Sequence, residues 1–298
     1  HNNSAAGAKS KGTIHAGADD NASGTCGLIE LARRYGAMKH RQGRRLVFIA
    51  FTGEELGLFG SKHYANNPAF PNEKTAFMLN MDMIGRSKEV DDGGTKKDRI
   101  VVYGHGTAEG LEKIVDTANE KFGFKMFKVP GGTGPSDHDS FYKKNIPVLF
   151  FFTGTHPDYH KPTDTAEKVN YAAMAKIVDM VELFTSHFTT TLDRPKYVKV
   201  RGGFEDPTDD RPRSSRGGMP RLGITPGNYG EEDKGVLVDD VAAGGAAEKG
   251  GVKAGDLIIG IAGKDVKNMD GYMAAMGAQK AGVEIEITVL RKKDTVKL

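Results

Sequence analysis

Apolar and polar positions along the first two thirds of the chain fall into two kinds of run. Leu46–Phe51 (LVFIAF), Ala76–Met81 (AFMLNM), Arg99–Gly104 (RIVVYG) and Ile146–Phe152 (IPVLFFF) are short and almost continuously apolar. That is the pattern of strands buried on both faces, as in a parallel sheet. Between them Leu28–Tyr35, Leu111–Phe122 and Ala172–Phe188 carry apolar residues at helical spacing, the first entered through Ser23-Gly24. Strands alternating with helices predict an α/β fold, a mixed and mostly parallel sheet covered by helices. The rhythm breaks near Leu192. Arg201–Pro220 holds eight charged residues, four Gly and three Pro, with only Phe204 and Met219 to bury. Such a stretch cannot offset its ordering entropy by burial and reads as a linker. Periodicity resumes at Leu222, with candidate strands Gly235–Val241, Asp256–Gly263 and Glu284–Leu290, Gly-rich turns and a helix over Met269–Lys280. The chain therefore divides into a first module over 1–192, a linker over 193–219 and a small β-rich module over 220–298.

Composition narrows the function classes. A length of 298 residues suits two domains. Lys plus Arg (42) nearly balances Asp plus Glu (39), leaving +3 with no basic stripe, so nucleic acid is not an expected partner. The longest apolar run, Ile146–Phe152, is far short of the ~20 residues a membrane span needs. The single cysteine, Cys26, precludes an intrachain disulfide and is expected to be a small buried residue on the first helix. One cysteine fits the cytosol and secretion equally.

Chemistry is expected where an α/β sheet places its ligands, in the loops after the strand carboxyl ends. Acidic and imidazole groups fall there three times. Glu54 and Glu55 follow Leu46–Phe51, Asp82 follows Ala76–Met81, and His156, Asp158 and His160 follow Ile146–Phe152. Asp19 and Asp20 sit at the entry to the first helix. Carboxylates converging on one sheet edge repel unless a cation neutralises them. A mixed Asp, Glu and His set suits zinc. Neighbouring side chains at a strand end diverge, so one of Glu54 and Glu55 can ligate metal while the other faces the attacking water.

Four segments in this order, GADDNASG, FIAFTGEELGLFGS, LNMDMIGR and DYHKPTDTAE, resemble the co-catalytic zinc aminopeptidases of metallopeptidase family 28 from about Ile14 to Phe188. The resemblance implies two zinc ions, with Asp20 bridging them, Glu55 and His160 completing one site and Asp82 holding the other. It makes Glu54 the general base. Asp19 is expected to support Asp20 or to supply a favourable acidic charge at the helix N-terminus. Ser136, Asp137 and His138 match a Ser-Asp-His run expected to border the substrate pocket and cap a helix over Ser140–Lys144; a hydrolase triad is not expected of adjacent residues. His156 and Asp158 are either site residues or solvated turn formers. His15, His40, His63, His105 and His187 have no acidic pattern and are read as surface or core residues. The family also has a further histidine upstream, in a His-x-Asp motif. The chain here starts His1-Asn2-Asn3, and that ligand, with the first strands of the sheet, is expected to lie upstream of it. The family resemblance favours a secreted or periplasmic location.

The second module, with RLGITPG and the Gly250–Asp256 turn GGVKAGD, resembles a PDZ domain of the bacterial protease-associated type. The resemblance implies a peptide carboxylate bound by the backbone of Leu222, Gly223 and Ile224, the peptide adding as a strand beside Ile224. Together these readings predict a zinc-dependent exopeptidase acting on a peptide substrate, most simply an aminopeptidase. Its rivals are a glutaminyl cyclase-like or carboxypeptidase-like enzyme of the same fold, or a catalytically dead scaffold working through its PDZ domain.

Overall fold

A computed structural model describes residues 14–55, 57–200, 222–226, 235–241, 244–267, 271–272, 275–276, 278–280, 282–292 and 294–298. His1 and most of the expected linker lie outside these residues.

The first module is a mixed sheet clothed by helices. In chain order it contains α1 (Gly24–Gly36), α2 (Phe59–Asn66), β1 (Met78–Met81), β2 (Glu89–Asp92), β3 (Thr95–Tyr103), α3 (Leu111–Phe122), β4 (Lys125–Val129), α4 (His138–Tyr142), β5 (Val148–Phe152) and α5 (Tyr171–Thr190). The strand order is β1-β5-β3-β2, with β4 also on β3. β1 runs parallel to β5 and β3 to β4, whereas β3 is antiparallel to β5 and to β2. Because side chains alternate along a strand, β5 feeds two cores. Leu149 and Phe151 pack with Ile100, Val102 and the buried faces of α1, α3 and α5; Phe150 and Phe152 pack with Val101, Tyr103 and Met83. Phe151 is fully buried. Phe151→Ala is expected to cost this module about 3–5 kcal/mol, read from the shift of its urea unfolding midpoint.

The sequence-based expectations need four corrections here. Leu46–Phe51 forms no strand ladder among the described residues. Ile49–Phe51 and Met78–Met81 line a groove of about 210 Å³. Val47 is correspondingly 48% exposed. Cys26 is exposed: α1 buries Gly24, Gly27, Leu31 and Tyr35, and Cys26 lies a helical step of about 100° off that face. The helix expected over Ser140–Lys144 starts earlier, at His138, and the side chain of Asp137 makes no capping hydrogen bond. Residues 193–200, assigned to the linker, are docked on the first module. The Lys196 carbonyl accepts from Glu109 N (3.0 Å), Val198 N donates to the Thr107 carbonyl (2.8 Å), and Val200 exchanges two hydrogen bonds with the Tyr142 hydroxyl. Tyr197 packs its ring on Tyr142, so apolar contact holds the segment.

The second module has β6 (Ile224–Pro226), β7 (Val236–Val241), α6 (Ala246–Lys249), β8 (Leu257–Ile261), β9 (Lys264–Asp265), β10 (Ile287–Arg291) and β11 (Asp294–Lys297). Its order is β11-β10-β8-β7-β6, with β9 on β8, around a core that includes Val238, Ile258, Ile261 and Val289. Buried Asp256 receives two hydrogen bonds from the Arg291 guanidinium, each 2.7 Å. The helix expected over Met269–Lys280 lies partly outside the described residues; 271–272 and 275–276 are helical.

Candidate active site

Three chain segments meet at the C-terminal edge of β1. The first is the turn Ala18–Ser23, whose Asp20–Asn21 peptide is cis. Asn21 staples this turn to β1 and the residues after it. Its Nδ2 donates to the Met81 carbonyl (3.1 Å), and its Oδ1 accepts from Gly24 N (2.9 Å) and Met83 N (3.2 Å). A Cβ on Gly24 would collide with the Met81 carbonyl, so only glycine lets α1 start this close to the strand that delivers Asp82. The second segment is the turn after Phe51, where Gly57 N and Leu58 N both donate to the Glu54 carbonyl (2.9 and 2.8 Å) and hold the Glu54-Glu55 pair at the entrance to α2. The third is the loop after β5, which carries His160 at φ 56°, a left-handed conformation uncommon for a residue with a side chain.

These turns bring Asp20, Glu55 and His160 together. His160 Nε2 lies 3.2 Å from Asp20 Oδ2 and 3.0 Å from Glu55 Oε1. One ligand atom from each of the three residues falls within 4.8 Å of the other two. Burial pulls the His160 imidazolium down, but its bonds to Asp20 and Glu55 outweigh this and lift its pKa to about 9. Asp82 stands beside Asp20 rather than inside that trio. Its Oδ2 accepts from Ser136 Oγ (2.7 Å), which in turn accepts from Asn80 Nδ2 (2.8 Å). Asp82 Oδ1 is buried with no hydrogen-bond partner among the described residues. Burial, then the Asp20 charge, raises Asp82 to about 8. Burial raises Glu54 to about 10, with Asp82 the strongest of the charges around it. Acids forced upward by one another, with a bare carboxylate oxygen among them, form the electrostatic signature of a cation site. The donor set of carboxylates and one imidazole fits zinc.

A family model for Peptidase family M28 matches residues 4–185, and one for the PDZ domain matches residues 213–290. The chain belongs to peptidase family M28. Aminopeptidase YwaD of Bacillus subtilis is 31% identical over 194 residues, covering 61% of this chain and 40% of its own length. Leupeptin-inactivating enzyme 1 of Streptomyces exfoliatus is 34% identical over 161 residues, 52% of this chain and 33% of its own. The chain thus spans well under half the length of these two curated relatives. Among solved structures, the LapA aminopeptidase of Legionella pneumophila shares the fold, with a TM-score of 0.51 at 22% identity over 60% of this chain and 48% of that one.

The remaining expected residues take distinct places in the M28 domain. Asp19 stands behind Asp20. Its Oδ1 accepts from Gly85 N (2.6 Å) and Ser23 Oγ (3.1 Å), and His156 Nε2 lies 3.1 Å from its Oδ2, both side chains fully buried. The His156 side chain is therefore buried against Asp19 rather than solvated, while its carbonyl accepts from Tyr159 N (3.1 Å) in the turn that follows. Asp158 stands outside the trio. It pairs with Arg86 (3.0 Å) and Lys168 (2.6 Å), bonds that hold its carboxyl below the usual range. Asp137 lines the groove beside Glu54, its carboxyl raised by burial to about 6. His138 is fully buried and stacked on Phe150, ring centroids 4.4 Å apart, and burial holds it neutral with a pKa near 3. Both of its ring nitrogens are buried with no hydrogen-bond partner among the described residues.

Two residues beside the acidic cluster carry roles the sequence reading did not give them. One is Asn21, quoted within a motif yet given no role. The other is Tyr159, whose ring stacks on His160 with centroids 3.8 Å apart. Its phenol is driven up, first by burial and then by Asp20, Glu55, Asp82 and Glu54. It therefore stays protonated near the carboxylates. An aromatic residue next to a histidine carries no such signal in sequence.

In the PDZ module, Leu222 is buried and its carbonyl accepts from Ala247 N (2.7 Å), while Gly223 adopts φ 76° just before β6. β6 is paired only with β7 among the described residues, which makes it the sheet edge. No helix among the described residues is long and apolar enough to cross a membrane.

Proposed function

We propose that the M28 domain is a zinc-dependent aminopeptidase that removes the first residue of a peptide, and that the PDZ module binds a peptide or protein C-terminus beside β6. The observation that carries this is the meeting of Asp20, Glu55 and His160, with Glu54 and Asp82 at their side. Asp20, Glu55 and His160 would hold one zinc, and Asp82, sharing Asp20, a second. Zinc supplies a Lewis acid that polarises the scissile carbonyl and makes water acidic near neutral pH. Glu54 receives the proton of the attacking water and returns it to the leaving amine. Tyr159, kept protonated, donates a hydrogen bond to oxygen that becomes negative as the carbonyl is attacked.

Charge favours the amino end of a peptide. Asp20, Glu54, Glu55, Asp82 and Asp137 all line the groove, and among the described residues no Lys or Arg does so. Even with two divalent cations bound, five carboxylates leave the groove negative. A substrate ammonium is attracted there, whereas a terminal carboxylate would need a cationic side chain to receive it. The test combines elemental analysis with hydrolysis of a free and an N-acetylated aminoacyl p-nitroanilide. At least one zinc ion per chain and cleavage of the free-amine substrate alone are expected. No bound zinc would overturn the metal site, and equal cleavage of the acetylated substrate would overturn the aminopeptidase reading.

A further inference from the structure

We propose that Arg86 is a positioning residue that presets the spacing of the metal ligands, acting through Asp158 and Asp164 without touching the metal. Arg86 lies four residues after Asp82, on the segment that leaves β1. Its Nη2 donates to Asp158 Oδ2 (3.0 Å), and its Nη1 faces Asp164 Oδ1 at 3.7 Å. That nitrogen and that oxygen are both buried and have no hydrogen-bond partner among the described residues. Asp158 and Asp164 are the two feet of the loop bearing His160, which is closed by Lys161 N on the Asp158 carbonyl (3.0 Å) and Asp164 N on the Lys161 carbonyl (3.1 Å).

Asp164 extends the connection to the Asp20 turn. Its other oxygen, Oδ2, accepts from Asp19 N (2.9 Å) and Asp20 N (3.1 Å), and its carbonyl accepts from Ala18 N (3.2 Å). A single guanidinium thus links the three segments that deliver Asp82, His160 and Asp20. Asp158 is further braced by Thr163 Oγ1 (2.7 Å) and Lys168 Nζ (2.6 Å).

Such a link has work to do. His160 sits in a left-handed conformation that a free loop would leave, and the ligand carboxylates repel one another until a cation arrives. Arg86 also compensates two carboxylates that are largely shielded from water, Asp158 and Asp164. The planar fork of arginine serves both at once, which the point charge of lysine cannot do. None of these three side chains belongs to the Asp20, Glu55 and His160 trio, so the effect on the metal is indirect. Groups that hold metal ligands from behind commonly set affinity by tenfold to a hundredfold.

The inference rests on the zinc reading of the site, and the test separates the two. The full chain, freed of metal, is titrated with Co²⁺ against a chromophoric chelator, and the Co²⁺ ligand-field spectrum and the metal-free melting temperature are recorded. Arg86→Lys is expected to weaken Co²⁺ binding about tenfold or more and to shift its visible bands. Its metal-free melting temperature should stay close to that of the unmutated chain. Asp158→Asn, which releases one foot of the loop while keeping the guanidinium, should do the same more mildly and serves if Arg86→Lys fails to fold. Affinity and spectrum unchanged in the folded variants would overturn the clamp alone, as would a lower melting temperature with unaltered Co²⁺ binding. No Co²⁺ binding by the unmutated chain would overturn the zinc reading and the clamp with it.

Discussion

Glu54→Gln lowers peptide hydrolysis by about two to four orders of magnitude while zinc content and melting temperature hold. The reason lies in the division of labour between neighbouring residues. Glu55 reaches His160 at 3.0 Å and belongs to the metal trio, whereas Glu54 is half-buried beside it, with Asp82 the strongest of the charges acting on it. Glutamine fills the same space and removes a half-buried carboxylate that its neighbours already disfavour, so folding does not suffer. It cannot accept a proton, so the step that needs one does. Parallel measurement of kcat, zinc per chain and peptide binding by the PDZ module decides the matter. A fall in kcat alone is the expected result. Hydrolysis within a factor of a few of the parent would remove Glu54 from the proton path, and loss of zinc would make it a ligand instead.

Without metal, the protein loses stability as the pH rises from 5 to 8, and zinc reverses that slope. The sign follows from three groups. Glu54 and Asp82 have native pKa values raised to about 10 and about 8, so the folded chain holds protons that the unfolded chain has already released above pH 5. His160, raised to about 9, likewise keeps in the folded state a proton that the unfolded state gives up near pH 6.5. His138, held neutral when folded, takes up a proton on unfolding below about pH 6.5 and offsets one of these groups; above that pH the unfolded state binds fewer protons, and stability falls with rising pH. Zinc takes the deprotonated ligands, so its contribution grows in the same direction. Melting curves in chelator should drop by about 5 °C or more between pH 5 and 8, and added zinc should raise the pH 8 value more than the pH 5 value. A chelated protein equally stable at both pH values would show that these carboxylates are not crowded as described.

The acidic and imidazole residues that meet at the site were legible because sheet chemistry leaves a one-dimensional trace. Glu54, Glu55, Asp82 and His160 each follow an apolar run, and such runs end where strands open onto a site. What holds those residues in place left no such trace. Arg86 reaches Asp158 across 72 positions, and Asp20 N reaches Asp164 across 144. Neither separation has a periodicity to betray it. Residues 46–51 misled for a related reason: an apolar stretch reports burial propensity, whereas a strand also needs a neighbour within hydrogen-bonding reach. The docked segment after Leu192 escaped because its attachment rests on scattered anchors, Tyr197 and Val200 on Tyr142, within an otherwise polar sequence.

The bonds from Asp19 and Asp20 to Asp164 close loops of 145 and 144 residues. Contacts of such range are entropically late, since the intervening chain must be ordered before they are rewarded. During synthesis the Asp20 turn emerges first and the His160 loop only near the end of the M28 domain. A ribosome-bound chain halted before Asp164 therefore lacks any preformed pocket for the ion, however well its early helices have formed.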